Sequence, residues 1–145
     1  MKVIKGNIWD YHKKGHYIVI PTNGFVKSNG ECVMGAGLAK QAREKYPNFP
    51  MLLGTFIKSH GNVVHYINPH MLSFPVKHHW KQKADLPLIE QSTRNLAFVG
   101  AATTVDTVYL PKVGCGNGKL NWKDVEPILD KYLNQDDKFV VVDFK

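Results

Sequence analysis

The sequence predicts an α/β fold in which helices cover both faces of a sheet. Three observations carry this reading. Short apolar runs bounded by glycine and proline alternate with amphipathic segments along the chain. One of those runs, Tyr17–Ile20 (YIVI), is almost continuously apolar, as a strand buried on both faces must be. Two glycine-rich stretches, Gly30 to Gly37 and Gly114 to Gly118, each lead into a helical pattern. In layered α/β folds, ligands sit where strands hand over to helices.

The elements follow in order. Val3–Ile4 opens a short strand that ends at Gly6, and Tyr17–Ile20 is the buried strand between Gly15 and Pro21. Leu38 to Tyr46 reads as a helix, with Leu38, Ala42 and Tyr46 on one face and Pro47 as its stop. Thr55–Ile57 and Val63–Ile67 flank Ser59-His60-Gly61-Asn62, a turn sequence, and so predict a hairpin. A second helix spans about Leu86 to Val99, with Asp85 as N-cap and Pro87 in the first turn. Thr107–Leu110 is a further buried strand. A third helix covers about Lys123 to Leu133; placing its start near Asp124 would put Pro127 in the first turn. Lys138–Val142 is the last strand.

Composition bounds the function. At 145 residues, with 43% apolar and 21% charged residues, the chain has the size and balance of one globular domain. No apolar run approaches the roughly 20 residues that span a bilayer. The N-terminal MKVIKGNIWD has no long apolar stretch after its lysine, so neither a signal peptide nor a membrane partner is expected. Cys32 and Cys115 are too far apart for a CxxC redox or zinc pattern. A reducing, cytoplasmic location is the resulting expectation. The seven histidines show no ligand spacing that would hold a metal. The net charge of +7, from 19 Lys and Arg against 12 Asp and Glu, is compatible with a polyanion partner or with a solvated basic surface.

The glycine loops carry the chemistry. The first is Met34-Gly35-Ala36-Gly37-Leu38-Ala39 and the second is Val113-Gly114-Cys115-Gly116-Asn117-Gly118. Glycines remove the Cβ that would hold a phosphate away, and free N–H groups in such turns point at an anion. Neither loop is specific alone. Lys40 stands where a dinucleotide fingerprint needs a small residue, and no Walker Lys-Ser/Thr follows either loop. Each loop could be only a tight turn. Together, in strand–loop–helix context, they predict a diphosphate clamp. Asn23, in Pro21-Thr22-Asn23-Gly24 after the buried strand, is either a turn residue or an amide aimed at a sugar hydroxyl.

The order and spacing of Lys5-Gly6-Asn7-Ile8, Thr22-Asn23-Gly24, the two glycine loops and Leu120-Asn121-Trp122 resemble the macrodomain family, an ADP-ribose-binding fold, over nearly the whole chain. The resemblance implies a three-layer α/β/α sandwich with a central mixed sheet, residues 1–145 forming one macrodomain. MGAG followed by PKVGCGNGxLxW looks like the branch that removes ADP-ribose from carboxylate esters on proteins or from DNA bases. Phe74-Pro75-Val76-Lys77-His78-His79-Trp80 is most similar to antitoxin members that reverse DNA ADP-ribosylation. In that subgroup a lysine of this segment is catalytic, and Lys77 matches it. An opposing ADP-ribosyltransferase would be the natural partner, with DNA as the modified target.

The resemblance also assigns roles. Asn7 and the backbone of Ile8 would read adenine, and Phe144 would stack on it. Val113, Gly114, Cys115, Gly116, Asn117 and Gly118 would hold the diphosphate, while Gly35, Ala36, Gly37 and Leu38 close over it and the distal ribose. Asn23 would bind that ribose or the attached group, and Lys77 would act at the anomeric carbon. No metal and no cofactor is expected. This sequence departs from the family twice. Asn7 stands where many members have Asp, and Gly118 stands where protein-ester hydrolases have an acidic residue. The second departure weighs against ester hydrolysis. Three rival functions use the same loops: a reader that binds ADP-ribose without cleaving it, a phosphatase of ADP-ribose 1″-phosphate, and a hydrolase of protein-linked esters. A basic nucleic-acid binder without catalysis is a fourth, against which Trp9, Trp80 and Trp122 match no stacking motif.

Overall fold

A computed structural model describes residues 1–102, 106–134 and 137–144. The strands are β1 (Lys2–Lys5), β2 (Tyr17–Asn23), β3 (His65–Ile67), β4 (Met71–Lys77), β5 (Val108–Leu110) and β6 (Phe139–Asp143). The helices are α1 (Ile8–Lys13), α2 (Gly37–Lys45), α3 (Phe49–His60), α4 (Leu86–Ala102) and α5 (Trp122–Leu133). The strands form one six-stranded sheet in the order β1-β6-β5-β2-β4-β3. All neighbours pair in parallel except β3, which runs antiparallel to β4 at the edge. The sheet is therefore mixed, as expected.

Alternation along the strands builds two cores, one on each face. Ile18 and Ile20 of β2 pack with Ile8, Ala42, Phe49 and Leu53, from α1, α2 and α3. Val19 points the other way and joins Leu96 of α4 and Leu129 and Leu133 of α5. The same split recurs in β4, where Met71 faces the first group and Leu72, Phe74 and Val76 belong to the second. Burial on both faces explains why YIVI has no polar alternation.

Three expectations need correction. Thr55–Ile57 is not a strand but the middle of α3, so the predicted hairpin across Ser59–Asn62 does not form. Thr, Phe and Ile favour strands, but Phe49, Pro50, Leu53 and Gly54 are buried together at helical spacing, and Gly61 follows as the C-cap. Tertiary burial overrides propensity here. A Cβ on Gly54 would overlap the carbonyl oxygen of Gly30, so α3 presses directly on the loop after β2. The real hairpin lies later, between β3 and β4, with His65 opposite Ser73 and Ile67 opposite Met71. Finally, α5 begins at Trp122 and not near Asp124, which leaves Pro127 inside the helix. Val125, Leu129 and Leu133 hold that helix to the core. Pro127 and Lys123 are both exposed, so water can take the carbonyl that proline's missing N–H leaves open.

Candidate ADP-ribose site

The five parallel strands all end at one edge of the sheet. Each of those ends carries a residue singled out from the sequence. Asn7 and Ile8 follow β1, Phe144 follows β6, the second glycine loop follows β5, Asn23 ends β2 and Lys77 ends β4. The antiparallel β3 supplies none.

At the β1 end, Asn7 is extended and caps α1, its Oδ1 accepting from the N–H of Trp9 at 3.0 Å. That oxygen keeps one lone pair and Nδ2 keeps its hydrogens. The Ile8 side chain is core, 6% exposed, so only its backbone faces the edge. Gly6 donates to the carbonyl of Asp143 at 3.0 Å, which sets Phe144 beside the Asn7 turn. Phe144 is 80% exposed. Lys112, leaving β5, pairs with Asp143 at 3.1 Å and lies over the Trp122 ring.

The glycines sort into two kinds. Gly114 has φ +76, and a Cβ there would sit 2.8 Å from Ile89 Cδ1. A Cβ on Gly118 would sit 2.5 Å from the Gly114 carbonyl oxygen and 2.7 Å from Ala84 Cβ. Gly37 has φ +58, and its Cβ position is 2.8 Å from Asn117 Nδ2, so the two loops meet there. These three are glycine because their own surroundings demand it. Gly35 and Gly116 differ: a Cβ at either meets nothing within 4 Å. Each faces open space. The absent acid at position 118 has a physical cause, since no side chain fits there.

The N–H donors of this edge match that division. Gly114 O accepts from Leu120 N, and Gly116 O from Lys119 N. Among the described residues, no backbone carbonyl takes the N–H groups of Gly116, Asn117 or Gly118. The N-cap of α2, Ala36, supplies no side-chain acceptor, and the first turn of α2 has no acidic residue. The first N–H groups of α2 are thus left open to an anion. Val113 is fully buried and can contribute only backbone. The half-buried Cys115 has its thiol pushed up by burial, partly offset by Lys112, a direction that disfavours the thiolate.

Asn23 anchors the chain between β2 and the first glycine loop. Its Nδ2 donates to Val33 O at 2.9 Å and its Oδ1 accepts from Phe25 N at 2.9 Å. The turn role is therefore built in: Oδ1 also takes a long contact from Cys32 Sγ at 3.8 Å, and one N–H of Nδ2 remains for a ligand. Asn23 stands in register with Lys77 of β4, across a bulge after Thr22.

Lys77 is brought to the second loop although the sequence separates them widely. Its Nζ donates to the Asn117 carbonyl at 3.3 Å and to the Trp80 carbonyl at 3.5 Å. Burial lowers its pKa from the ordinary lysine value, and the charge of Lys119 lowers it further. Asn62 was not legible as a site residue from the sequence, where it read as a turn. Its Nδ2 donates to the Lys77 carbonyl at 3.2 Å, and Gly24 N donates to the same oxygen at 3.0 Å. A Cβ on Gly24 would collide with the Asn62 amide at 2.6 Å. Together Asn62 and Gly24 fix the backbone from which Lys77 projects.

Comparison with known proteins identifies the family. The macro domain family model matches residues 35–129. A curated DNA ADP-ribosyl glycohydrolase of Mycobacterium tuberculosis is 30% identical over 116 residues, covering 71% of this chain and 32% of its own length. A DNA ADP-ribosyl transferase–DNA ADP-ribosyl glycohydrolase fusion protein of Thermosipho africanus is 27% identical over 135 residues, covering 76% of this chain and 35% of its own. The chain thus spans about a third of the length of the curated relatives it matches. The solved macrodomain of Mycobacterium tuberculosis DarG superposes with a TM-score of 0.80 at 25% identity, covering 97% of this chain and 96% of that one. Thermosipho africanus DarTG in complex with ADP-ribose superposes at 0.78 and 21% identity, covering 97% of this chain and 40% of that one. With that family's pattern running through both glycine loops and the helices behind them, the chain belongs to the macro domain family.

Proposed function

We propose that this domain binds ADP-ribose along the carboxyl edge of the sheet and removes it from modified DNA, with Lys77 acting at the scissile bond. The observation that carries the reading is the strand order. From β1 through β6, β5 and β2 to β4, the edge presents an adenine seat (Asn7, the Ile8 N–H, Phe144), a diphosphate cradle, a sugar-facing amide (Asn23) and a basic group (Lys77). That is the order of the parts of ADP-ribose followed by the bond to be cut. Four gaps between five strands span about 19 Å at the usual strand spacing. The relatives named DNA ADP-ribosyl glycohydrolase support the reaction class, and the fusion with a transferase supports an opposing ADP-ribosyltransferase as partner.

The chemistry follows from the site. Open N–H groups of the second loop and of the α2 N-terminus neutralise the diphosphate. Lys77 lies past the sugar, where the leaving base departs. Its lowered pKa supports a neutral amine that adds to the anomeric carbon as the base leaves with a proton. The glycosylamine so formed opens, its bond from the anomeric carbon to the ring oxygen breaking as a proton passes from nitrogen to that oxygen, and water hydrolyses the resulting imine to free ADP-ribose and the lysine. A protonated Lys77 that stabilises the leaving group is the other route, and the two differ in pH profile. Gly118, closed to any side chain, removes the carboxylate expected of an ester hydrolase.

The test is side-by-side turnover of ADP-ribosylated DNA and a glutamate-linked ADP-ribosyl protein, with ADP-ribose and AMP binding measured by calorimetry. Faster release from DNA, and much tighter binding of ADP-ribose than of AMP, are expected. Faster release from protein would move the chain to the ester-hydrolase branch. Binding without turnover of either would leave a reader.

A further inference from the structure

The segment after Lys77 builds an aromatic ladder that the ADP-ribose site does not use. Phe25 packs edge-on against His79, with ring centroids 4.6 Å apart. His79 in turn stacks on Trp80 at 5.7 Å, with the planes 25° apart. The turn is tied internally: His79 N donates to Gln82 Oε1 and Lys81 N donates to His79 Nδ1, both at 3.1 Å. The ladder is therefore held before any ligand arrives, although Trp80 at its end is 43% exposed. Lys81 Nζ lies 5.1 Å from the Trp80 ring. No acidic residue occurs from Lys77 to Ala84, and Asp85 just beyond is paired with His78 at 3.2 Å. The Trp80 carbonyl is 3.5 Å from Lys77 Nζ. A half-exposed indole thus sits on the turn whose backbone meets Lys77 Nζ, among lysines that form no ion pair among the described residues.

We infer that Trp80, backed by His79 and Phe25 and flanked by Lys81 and Lys83, seats an unpaired nucleobase of single-stranded DNA next to the modified nucleotide. This rests on the DNA reading above and adds to it how the strand is held. Every base has a face that stacks on an aromatic ring, and neighbouring lysines follow the phosphates. The combination fits a single strand better than a duplex, whose bases are already stacked.

The experiment compares the parent with Trp80→Ala and Trp80→Phe. Binding is measured to an unmodified single-stranded oligodeoxynucleotide, the corresponding duplex and free ADP-ribose. KM and kcat are measured on an ADP-ribosylated oligonucleotide and an ADP-ribosylated mononucleotide. Trp80→Ala should weaken single-strand binding, and raise KM for the oligonucleotide, by at least about tenfold. Trp80→Phe should restore most of both. Duplex affinity, ADP-ribose affinity and mononucleotide turnover should stay near parental, the last two also reporting an intact site. Parental single-strand affinity and KM in Trp80→Ala would overturn the platform while leaving DNA hydrolysis standing. An equal loss on duplex would also overturn it, since charge or a distorted turn would then be the cause. If the parent releases nothing from modified DNA, the functional reading fails separately. The single-strand binding of Trp80→Ala against parent then still decides whether the platform exists.

Discussion

The two glycine loops look alike as sequence and differ as structure. The second is set into the core: Val113 is buried, Gly114 lies against Ile89, and Gly118 is wedged between the Gly114 carbonyl and Ala84. The first stands on the surface, with Gly35, Ala36 and Gly37 exposed. One is a floor built into the core, whose Gly116, Asn117 and Gly118 N–H groups no backbone carbonyl takes among the described residues, and the other is an exposed rim on the open N-terminus of α2. The loops touch at Gly37 and Asn117. A glycine can therefore be required by the fold, by the ligand or by both, and only its surroundings say which.

The sharpest way to break this comparison is within the second loop itself. Gly116→Glu should leave the fold intact, because a Cβ there meets nothing within 4 Å. It should abolish ADP-ribose binding, since it puts bulk and negative charge where the proposed function seats the phosphates. Its cost does not come from backbone strain, because φ at Gly116 lies outside the left-handed region. Calorimetry on a variant with an unchanged melting curve is the check. Normal binding would remove the phosphate role from this loop.

Lys77→Ala comes next in size. The amine touches the second loop through the Asn117 carbonyl, and in the function proposed above it acts at the scissile bond and not on the diphosphate. Its loss should cost turnover at least about a hundredfold, the scale of one positioned catalytic group. ADP-ribose affinity should stay within about tenfold, roughly 1.4 kcal/mol. Lys77→Arg should also be poor if the neutral amine attacks, because guanidinium stays protonated. Single-turnover rates alongside calorimetry separate the two quantities. Full activity in Lys77→Ala would end the catalytic assignment.

Gly118→Ala tests the other kind of glycine. The added methyl must displace both the Gly114 carbonyl and Ala84, at about 1–3 kcal/mol, the usual cost of overpacking. Urea unfolding should show this loss of stability. Parental stability would mean that the missing acid at this position has no packing cause.

Much of this was open to the sequence, and what was not has specific reasons. YIVI, the α2 face and the two glycine loops are local signals, set by neighbours in the chain. β4 was not: Pro75 sits in its middle, where proline argues against a strand. Proline is tolerated because β3 ends its pairing opposite Ser73, leaving Pro75 a strand partner on one side only. α1 was missed because its six residues bury only Ile8, too little for a visible period. At the site, Lys77 was singled out only through the resemblance, and nothing in sequence distance foretells its contact with Asn117. Asn62 and the packing of Gly118 are products of the fold and leave no local trace. Asn23 was open between two roles, and the structure shows the first of them in place.

The smallest expected effect is the most informative about mechanism. Burial is the main cause of the lowered Lys77 pKa and the charge of Lys119 the second. Removing that charge should raise the Lys77 pKa part of the way back, since burial remains. Lys119 has φ +64, a left-handed conformation that asparagine tolerates better than most side chains. Lys119→Asn therefore removes charge without adding strain. If neutral Lys77 attacks the sugar, turnover rises with pH through its pKa, and Lys119→Asn moves that rising limb to higher pH. At neutral pH a smaller fraction of the amine is then free, and the rate falls a few-fold. If protonated Lys77 stabilises the leaving group, the limb falls with pH instead. Lys119→Asn then moves that falling limb to higher pH and leaves the neutral rate almost unchanged. Lys119→Arg keeps the charge and should leave either limb in place. A profile of single-turnover rate against pH for the three proteins reads out both the route and the coupling. An unmoved limb in Lys119→Asn would mean that Lys119 does not tune the amine at all.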